Sequence, residues 1–398
     1  MLKKAVALLV AFLLLFVGVR LTEAQAAEPA FGEKQVSAQT IPDTPDLQVN
    51  AKGAVVIDAY TGRVLFAQNA NGRLPMASTT KIMTALLTLE QEDLDRYFVV
   101  DPTAIKVEGS SMGLIEGDKV TLSILAYGML LASGNDGANA AAVKIAGSQE
   151  KFAQKMNQRA QQLGMEDTHF VTPSGLNHEN HYSTAYDMAL LAQEALKNPR
   201  FADICSQSKA VVEYGNPPYR RWLTNHNKLL RNYEGAVGVK TGFTKKAGRC
   251  LVSCAMRDGS KLICVTLNCP DDWEVHAKLY DRYFEKLTPV DITSRLPSVK
   301  IPVTGGIREA VNGVYSPPAQ VSLLDGELEQ LEIKARIAPF LYAPVRKGQA
   351  IGSFTVYSDG QPIGEVPLTA QEDIPARQKE KWWLARWLDG LFAHERRE

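Results

Sequence analysis

Apolar residues recur along the chain in different rhythms, and the changes of rhythm divide it. From Ala54 the run Ala-Val-Val-Ile-Asp-Ala-Tyr-Thr61-Gly62-Arg-Val-Leu-Phe-Ala reads as two short strands about a Thr-Gly turn. Residues 77–198 carry a helical pattern. Its clearest start is Ser183-Thr184-Ala-Tyr-Asp187, a capping arrangement ahead of an apolar-periodic run to Leu196. Residues 235–269 return to strands, with Arg257-Asp258-Gly259-Ser260 as a hairpin turn, and Asp271 to Leu287 is again helical. Strands enclosing a helical block predict one domain of mixed helix and sheet with a helical insertion, from about residue 50 to 290. Residues 292–372 alternate in short runs between Gly and Pro turns (Val299-Lys-Ile-Pro-Val303, Leu331-Glu-Ile-Lys-Ala335, Ile351-Gly-Ser-Phe-Thr-Val-Tyr357), which predicts a small all-β module.

The two ends follow other rules. Lys3 and Lys4, an apolar run from Ala5 to Val19 and the small-x-small site Ala24-Gln-Ala26 predict a secretory signal peptide over residues 1–26, cleaved after Ala26. That run is shorter than the ~20 residues a membrane span needs. Residues 27–47 are polar and Pro-containing, a loose N-terminal arm. The last segment, 374–398, holds three of the five tryptophans. On a helix over Lys379–Phe392, Leu384, Trp387, Leu388 and Leu391 share one face, flanked by Trp383 and Phe392, while Arg386 and Asp389 face away. The segment is too sparsely apolar to span a bilayer, and tryptophan beside basic residues predicts an amphipathic membrane-surface anchor. The expected location is therefore extracytoplasmic, on the outer face of the cytoplasmic membrane.

Composition narrows the classes. The chain has 398 residues, 45% of them hydrophobic, and 44 Lys+Arg balance 44 Asp+Glu, so no bulk charge points to nucleic acid. Five cysteines are too few for a disulfide scaffold and cannot all pair internally. Cys250 and Cys254 lie four apart on a strand, an arrangement that does not fold back as a metal-binding pair does, so buried, hydrophobe-like thiols are expected. Cys254 and Cys264 flank the Asp258-Gly259 turn. A two-residue loop sets Cys254 against Ile263, whereas a three-residue loop sets it against Cys264 and permits a disulfide; reduced thiols are the expectation. His178 and His181 lack both the H-E-x-x-H spacing and a third ligand, so no metal is expected.

The candidate chemistry sits in three short motifs. In Ser78-Thr-Thr-Lys81, residues three apart on a helix meet, and serine is a weak nucleophile until a neighbouring base takes its proton. Lysine serves as that base only if burial or a nearby cation depresses its pKa. Leu131-Ala-Ser133-Gly-Asn135-Asp136 places a hydroxyl and a carboxamide at a helix–helix junction. Gly238-Val-Lys240-Thr241-Gly242-Phe243-Thr244 follows a strand-like run, with Gly242 permitting close backbone approach. Each motif alone has an ordinary reading as a cap or turn. In the order S-x-x-K, S-x-N, K-T-G, at intervals of about 55 and then about 105 residues, they form the set used by penicillin-binding proteins and class A β-lactamases.

The chain resembles the low-molecular-mass penicillin-binding proteins that are D-alanyl-D-alanine carboxypeptidases. The likeness extends to Gly109-Ser-Ser-Met-Gly-Leu114, Thr168-His-Phe-x-x-Pro173-x-Gly175-Leu176 and His181-x-Ser183-Thr-Ala-x-Asp187. Residues 292–372 resemble the family's C-terminal β-sandwich. The resemblance implies an α+β fold: a transpeptidase-like domain over 48–290, with an antiparallel sheet flanked by helices and a helical lobe, then the β-sandwich and the C-terminal amphipathic helix. It implies no cofactor, a peptidoglycan stem pentapeptide as substrate and β-lactams as covalent inhibitors. Ser78 is then the nucleophile, Lys81 its base and Ser133 a proton relay, with the order of action of Lys81 and Ser133 left open. Asn135 binds the substrate's peptide amide, Lys240 and Thr241 hold its terminal carboxylate, and Gly242 allows a ligand to approach the backbone closely. The backbone N–H groups of Ser78 and Phe243 form the oxyanion hole; only the N–H of Phe243 matters there, with its ring able to narrow the cleft. Two rival functions are a class A-like β-lactamase and a non-catalytic wall-binding scaffold. Residues 136–237 hold no E-x-x-L-N stretch to carry a deacylating glutamate, and all three motifs are intact, which argues against each rival in turn.

Overall fold

The computed structural model of the chain describes residues 41–45, 47–315, 319–324 and 326–377. The expected signal peptide, most of the arm and the amphipathic segment lie outside the described residues. Strands β1 (Gly53–Asp58) and β2 (Val64–Gln68) form the first hairpin, and a 3₁₀ turn over Ala77–Thr80 leads into helix α1 (Lys81–Leu89). The helical reading of 77–198 needs correction over 90–121. Pro102 and the left-handed glycines Gly109, Gly113 and Gly117 break the period there, leaving loops and the two-residue strands β3 (Phe98–Val99) and β4 (Lys119–Val120). Helices α2 (Leu122–Leu130), α3 (Asn135–Ala146), α4 (Gln149–Gln162), α5 (Ala185–Ala195) and α6 (Pro199–Ser206) complete the lobe. The start of α5 is as expected: Thr184 caps it by accepting the Asp187 N–H. A hairpin that the periodicity did not mark follows, β5 (Lys209–Gly215) and β6 (Pro218–Thr224), then a single helical turn α7 (Leu229–Asn232). Strands β7 (Ala236–Thr244), β8 (Gly248–Arg257) and β9 (Ser260–Leu267) and helix α8 (Asp272–Lys286) close the domain.

The main sheet is antiparallel, in the order β2-β1-β9-β8-β7. Both of its faces are covered, which accounts for its nearly continuous apolar strands. Val55, Ile57, Val252, Ile263 and Val265 face the helical lobe, while Ala54, Val56, Leu251, Leu262 and Cys264 face α8. Under α8, the buried His276 bridges Ser253 (2.6 Å) and Thr266 (2.9 Å) through its two ring nitrogens. The β8–β9 turn is the two-residue form, pairing Arg257 with Ser260 and Cys254 with Ile263. Cys254 and Cys264 therefore project from opposite faces, and all five cysteines are unpaired and buried.

The C-terminal module is all β, as expected. Strand β10 (Thr288–Asp291) pairs with β13 (Gln320–Leu323); β11 (Val299–Thr304), β12 (Ala310–Tyr315), β14 (Glu332–Ile337), β15 (Leu341–Tyr342), β16 (Ala350–Ser358) and β17 (Gln361–Ala370) form a sheet in the order β14-β16-β17-β12-β11-β15. Ile301, Val321, Phe354, Val356 and Leu368 are among the residues of its separate core. Among the contacts that tie it to the first domain, Arg63 grips Glu327 with both terminal nitrogens, the Ser260 and Ser322 hydroxyls lie 2.5 Å apart, and Leu324 packs on the core under α8. Arg63 and Glu327 are mostly buried, which shields the pair from the screening that weakens surface ion pairs.

One packing contact positions everything described below. The turn at Ala77, whose φ is +49°, rests on the loop at Gly175, whose φ is +82°. A Cβ on Gly175 would stand 2.0 Å from the Ala77 carbonyl oxygen and 2.8 Å from Thr80 Oγ1. Thr84 Oγ1 ties α1 to the same loop by donating to Pro173 O (2.6 Å), and His181 lies 2.9 Å from Thr80 Oγ1 through Nε2. His181 Nδ1 accepts the N–H groups of Val171 and Thr172, so Nε2 carries the proton and donates. Burial lowers the His181 pKa to about 3, keeping the ring neutral as this bridge requires. Gly175→Ala is expected to cost about 2 kcal/mol of stability and to slow acylation of Ser78 sharply. Urea unfolding and the rate of covalent penicillin labelling measure the two effects.

Candidate active site

Four segments distant in sequence meet at the start of α1. Ser78 lies in the 3₁₀ turn and is its half-exposed member; Ala77, Thr79 and Thr80 are buried. Lys81, the first residue of α1, is fully buried, and its Nζ lies 3.0 Å from Ser78 Oγ, 2.7 Å from Asn135 Oδ1 and 2.7 Å from the Ser174 carbonyl oxygen. Two of these partners, a carboxamide oxygen and a main-chain carbonyl, only accept. A neutral amine has two N–H groups and one lone pair. With both N–H groups spent on Asn135 and Ser174, the lone pair is left facing Ser78, whose O–H then donates to it. Burial, and next the charge of Lys240, hold the Lys81 pKa well below the ordinary lysine value, against an opposing pull from Asp136. This arrangement makes Lys81 competent as a base.

Ser133 occupies the tight connection between α2 and α3 at a φ of +59°, a left-handed conformation uncommon for serine. Its Oγ accepts from Lys240 Nζ at 3.1 Å, and the same ammonium donates to Thr241 O at 2.9 Å. Lys240 is also buried, and desolvation brings its pKa down to about 7. Asn135 caps the opposite wall: its Nδ2 donates to Glu108 O (2.7 Å) and its main-chain N–H to Ser110 O (2.7 Å). One Nδ2 hydrogen remains for a ligand.

Strand β7 forms the other wall as the open edge of the sheet. A Cβ on Gly242 would lie 3.0 Å from Met76 O, Ser78 N and Thr79 N, so the strand presses its backbone directly on the turn that carries Ser78. Phe243 needs correction as a cleft-narrowing residue. It pairs with Arg249, one position on from the Gly242–Cys250 pair, so its side chain leaves β7 on the opposite face from the one meeting Ser78. The ring is 65% exposed.

Ser78, Lys81, Ser133, Asn135, Lys240 and the backbone of Gly242 meet in these walls; Thr241 lies two positions from Phe243 on β7, so the two side chains share the other face of the strand and reach the site through their backbone. Others had been passed over. Asp136 is buried, and its carboxylate accepts the N–H groups of Met112, Gly113 and Leu114 (2.9, 3.0 and 3.0 Å) and the Ser111 hydroxyl (2.5 Å), which fixes the loop whose Ser110 carbonyl holds Asn135. Ser174 supplies only a carbonyl, and Gly175 in the Pro173-x-Gly175 stretch was its one visible signal. His226 sits between Asn225 and Asn227, both buried; Asn225 donates to Cys205 O and Gln207 O, and Asn227 to Gly238 O. Burial and Lys240 lower the His226 pKa.

Comparison with known proteins agrees with this geometry. Residues 37–271 match the family model described as D-alanyl-D-alanine carboxypeptidase, and residues 285–376 match that of the penicillin-binding protein 5 C-terminal domain. The chain is 35% identical over 343 residues to D-alanyl-D-alanine carboxypeptidase DacF of Bacillus subtilis, covering 83% of this chain and 87% of that protein. It is 32% identical over 346 residues to DacC of Escherichia coli, covering 82% and 84%. Among solved structures it is similar to penicillin binding protein 5 from Haemophilus influenzae, with a TM-score of 0.61, 27% identity and coverage of 85% of this chain and all of that one. These matches favour neither the β-lactamase nor the scaffold reading. With a buried lysine aimed at a serine, and with matches that run through both the helix-flanked sheet and the β module, the chain belongs to the D-alanyl-D-alanine carboxypeptidase family of serine peptidases.

Proposed function

We propose that this carboxypeptidase removes the terminal D-alanine from peptidoglycan stem pentapeptides through an acyl-enzyme on Ser78. The observation that carries the reading is the hydrogen-bond arrangement of Lys81, whose two acceptor-only partners leave its lone pair for the Ser78 proton. Ser78 Oγ attacks the carbonyl carbon of the penultimate D-alanine as Lys81 takes the proton. The oxyanion is received by the N–H groups of Ser78 and Phe243, which need not pay for reorganisation in a site built around fixed backbone. Lys240 and Thr241 hold the substrate's terminal carboxylate, and the spare Asn135 hydrogen meets its peptide carbonyl. Ser133, bonded to Lys240, relays a proton to the departing amine. Water then hydrolyses the ester. β-Lactams enter by the same attack, and their tethered leaving group stays in place as a barrier to that water.

The roles make separable demands on each group. Ser78→Ala is expected to abolish release of D-alanine from a muropeptide pentapeptide while leaving the fold intact. Lys81→Arg falls almost as far, because a guanidinium stays protonated. Amino-acid analysis of the released product reads both, and substantial turnover by the arginine variant would refute the base role.

The pH dependence has a defined sign. Acylation requires neutral Lys81, so its rate rises with pH through a pKa held below the ordinary lysine range. The positive charge of Lys240 contributes to that lowering. Lys240→Gln removes the charge, raises the Lys81 pKa and moves the acid limb of the penicillin-labelling profile to higher pH. An unmoved limb would show that the two lysines are not coupled.

For location, the reading is export by the signal at 1–26 and attachment of Lys379–Phe392 to the outer face of the cytoplasmic membrane. The support is the sequence pattern of those segments together with a wall-directed family; among the described residues no helix is long and apolar enough to cross a membrane. Ending the chain after Ala376 is expected to move the enzyme from the membrane to the soluble fraction with its carboxypeptidase activity retained. Fractionation followed by the release assay tests this.

A further inference from the structure

Large hydrophobic side chains on the β module are mostly covered, with four described exceptions: Ile307 (56% exposed), Leu328 (41%), Phe340 (44%) and Tyr342 (70%). Three of the four gather at one end. The β11–β12 turn carries Ile307; β11 pairs in parallel with β15, Val303 with Leu341 and Thr304 with Tyr342; and Phe340 meets Tyr342 edge-on at 5.2 Å. The chain leaves the module at the same place. Ile307 N–H donates to Pro375 O, Gly306 bridges to Ala376, and Arg377 N–H donates to Gly305 O at 2.7 Å.

This is the end remote from the catalytic domain. Strand β17 begins at the junction, where the Gly364 backbone lies against Val321 of β13, and runs to Ala370 beside Gly348. Six residues of strand put the tip roughly 20 Å beyond that junction. Scattered surface hydrophobes need no explanation, but aromatic residues clustered where a chain exits, rimmed by basic residues, suit the headgroup zone of a bilayer. The rim carries Arg308, Arg346, Lys347 and Arg377 against Glu309, Glu372 and Asp373, an excess of one positive charge, with Arg308 paired to Glu372.

We infer that Ile307, Phe340 and Tyr342 form a second lipid contact that enters the membrane interface alongside the C-terminal segment. The inference rests on reading Lys379–Phe392 as an anchor. Its occupant is a lipid surface because the residues that follow Arg377 carry an amphipathic sequence pattern with Trp382, Trp383 and Trp387, and the patch lies where the chain leaves the module. Three side chains alone are too small a surface to retain the protein, in keeping with release on truncation.

The test uses the full mature chain and vesicles of phosphatidylglycerol and phosphatidylethanolamine. The triple variant Ile307→Ser, Phe340→Ser, Tyr342→Ser is expected to partition into vesicles roughly tenfold more weakly while releasing D-alanine from a soluble pentapeptide at the native rate. All five native cysteines are buried, so a polarity-sensitive dye on Tyr342→Cys reports position directly. Its emission is expected to shift to the blue on adding vesicles, whereas dye on Val211→Cys, 55% exposed on the catalytic domain, stays unchanged. If the native chain binds vesicles while the dye at 342 remains in water, or the triple variant binds as well as the native chain, the second contact is overturned and the anchor stands. If the native chain does not bind at all, the anchor reading falls and the contact with it.

Discussion

Two lysine side chains buried side by side are the constraint around which this fold is organised. Taking an ammonium group out of water costs several kcal/mol, and a second one nearby adds repulsion. Among the described residues no carboxylate is bonded to either lysine; Lys81 and Lys240 are held by hydroxyl and carbonyl oxygens instead. An adjacent acid would have stabilised both charges and kept Lys81 protonated, unable to take up a proton from Ser78. The repulsion is retained, and its cost is met by the packing of two domain-scale cores and a well-satisfied hydrogen-bond network around the site.

That network depends on backbone in unusual conformations. Ala77 and Ser133 both have positive φ, a conformation that non-glycine residues hold only when their surroundings over-determine it. Ala77 is held by the Gly175 loop and Ser133 by the junction of two helices. Asp136 acts one step further out: by gathering three successive N–H groups it stiffens the loop whose carbonyls orient Asn135. The carboxylate thus contributes geometry while remaining unbonded to the lysines.

What was legible in the sequence and what was not follows the range of the interactions involved. Ser78 and Lys81 are one helical turn apart, and Ser133 and Asn135 share a single turn, so local spacing reveals them. The strands of the main sheet are legible without alternation, because their short apolar runs are bounded by turn residues such as Thr61-Gly62 and Asp258-Gly259. The Ser174 carbonyl, the Glu108 carbonyl and the loop under Asp136 carry no side-chain signature and emerge only from long-range packing. The 90–121 segment reads as helical in sequence, yet its apolar residues, Val100, Ile105, Met112 and Leu114, are buried from irregular loops that share no period.

The two-residue turn at Asp258-Gly259 has a consequence outside the active site. It sends Cys254 and Cys264 to opposite faces of the sheet, where burial raises the thiol pKa of Cys254 to about 12 and that of Cys264 well above the ordinary value. Thiols held protonated and out of reach are poor partners for exchange or oxidation. In an oxidising compartment the five cysteines are therefore vulnerable only before the sheet closes. Folding must outrun oxidation, and a slip of one residue at this turn would align the two thiols for a cross-link that traps the hairpin in the wrong register.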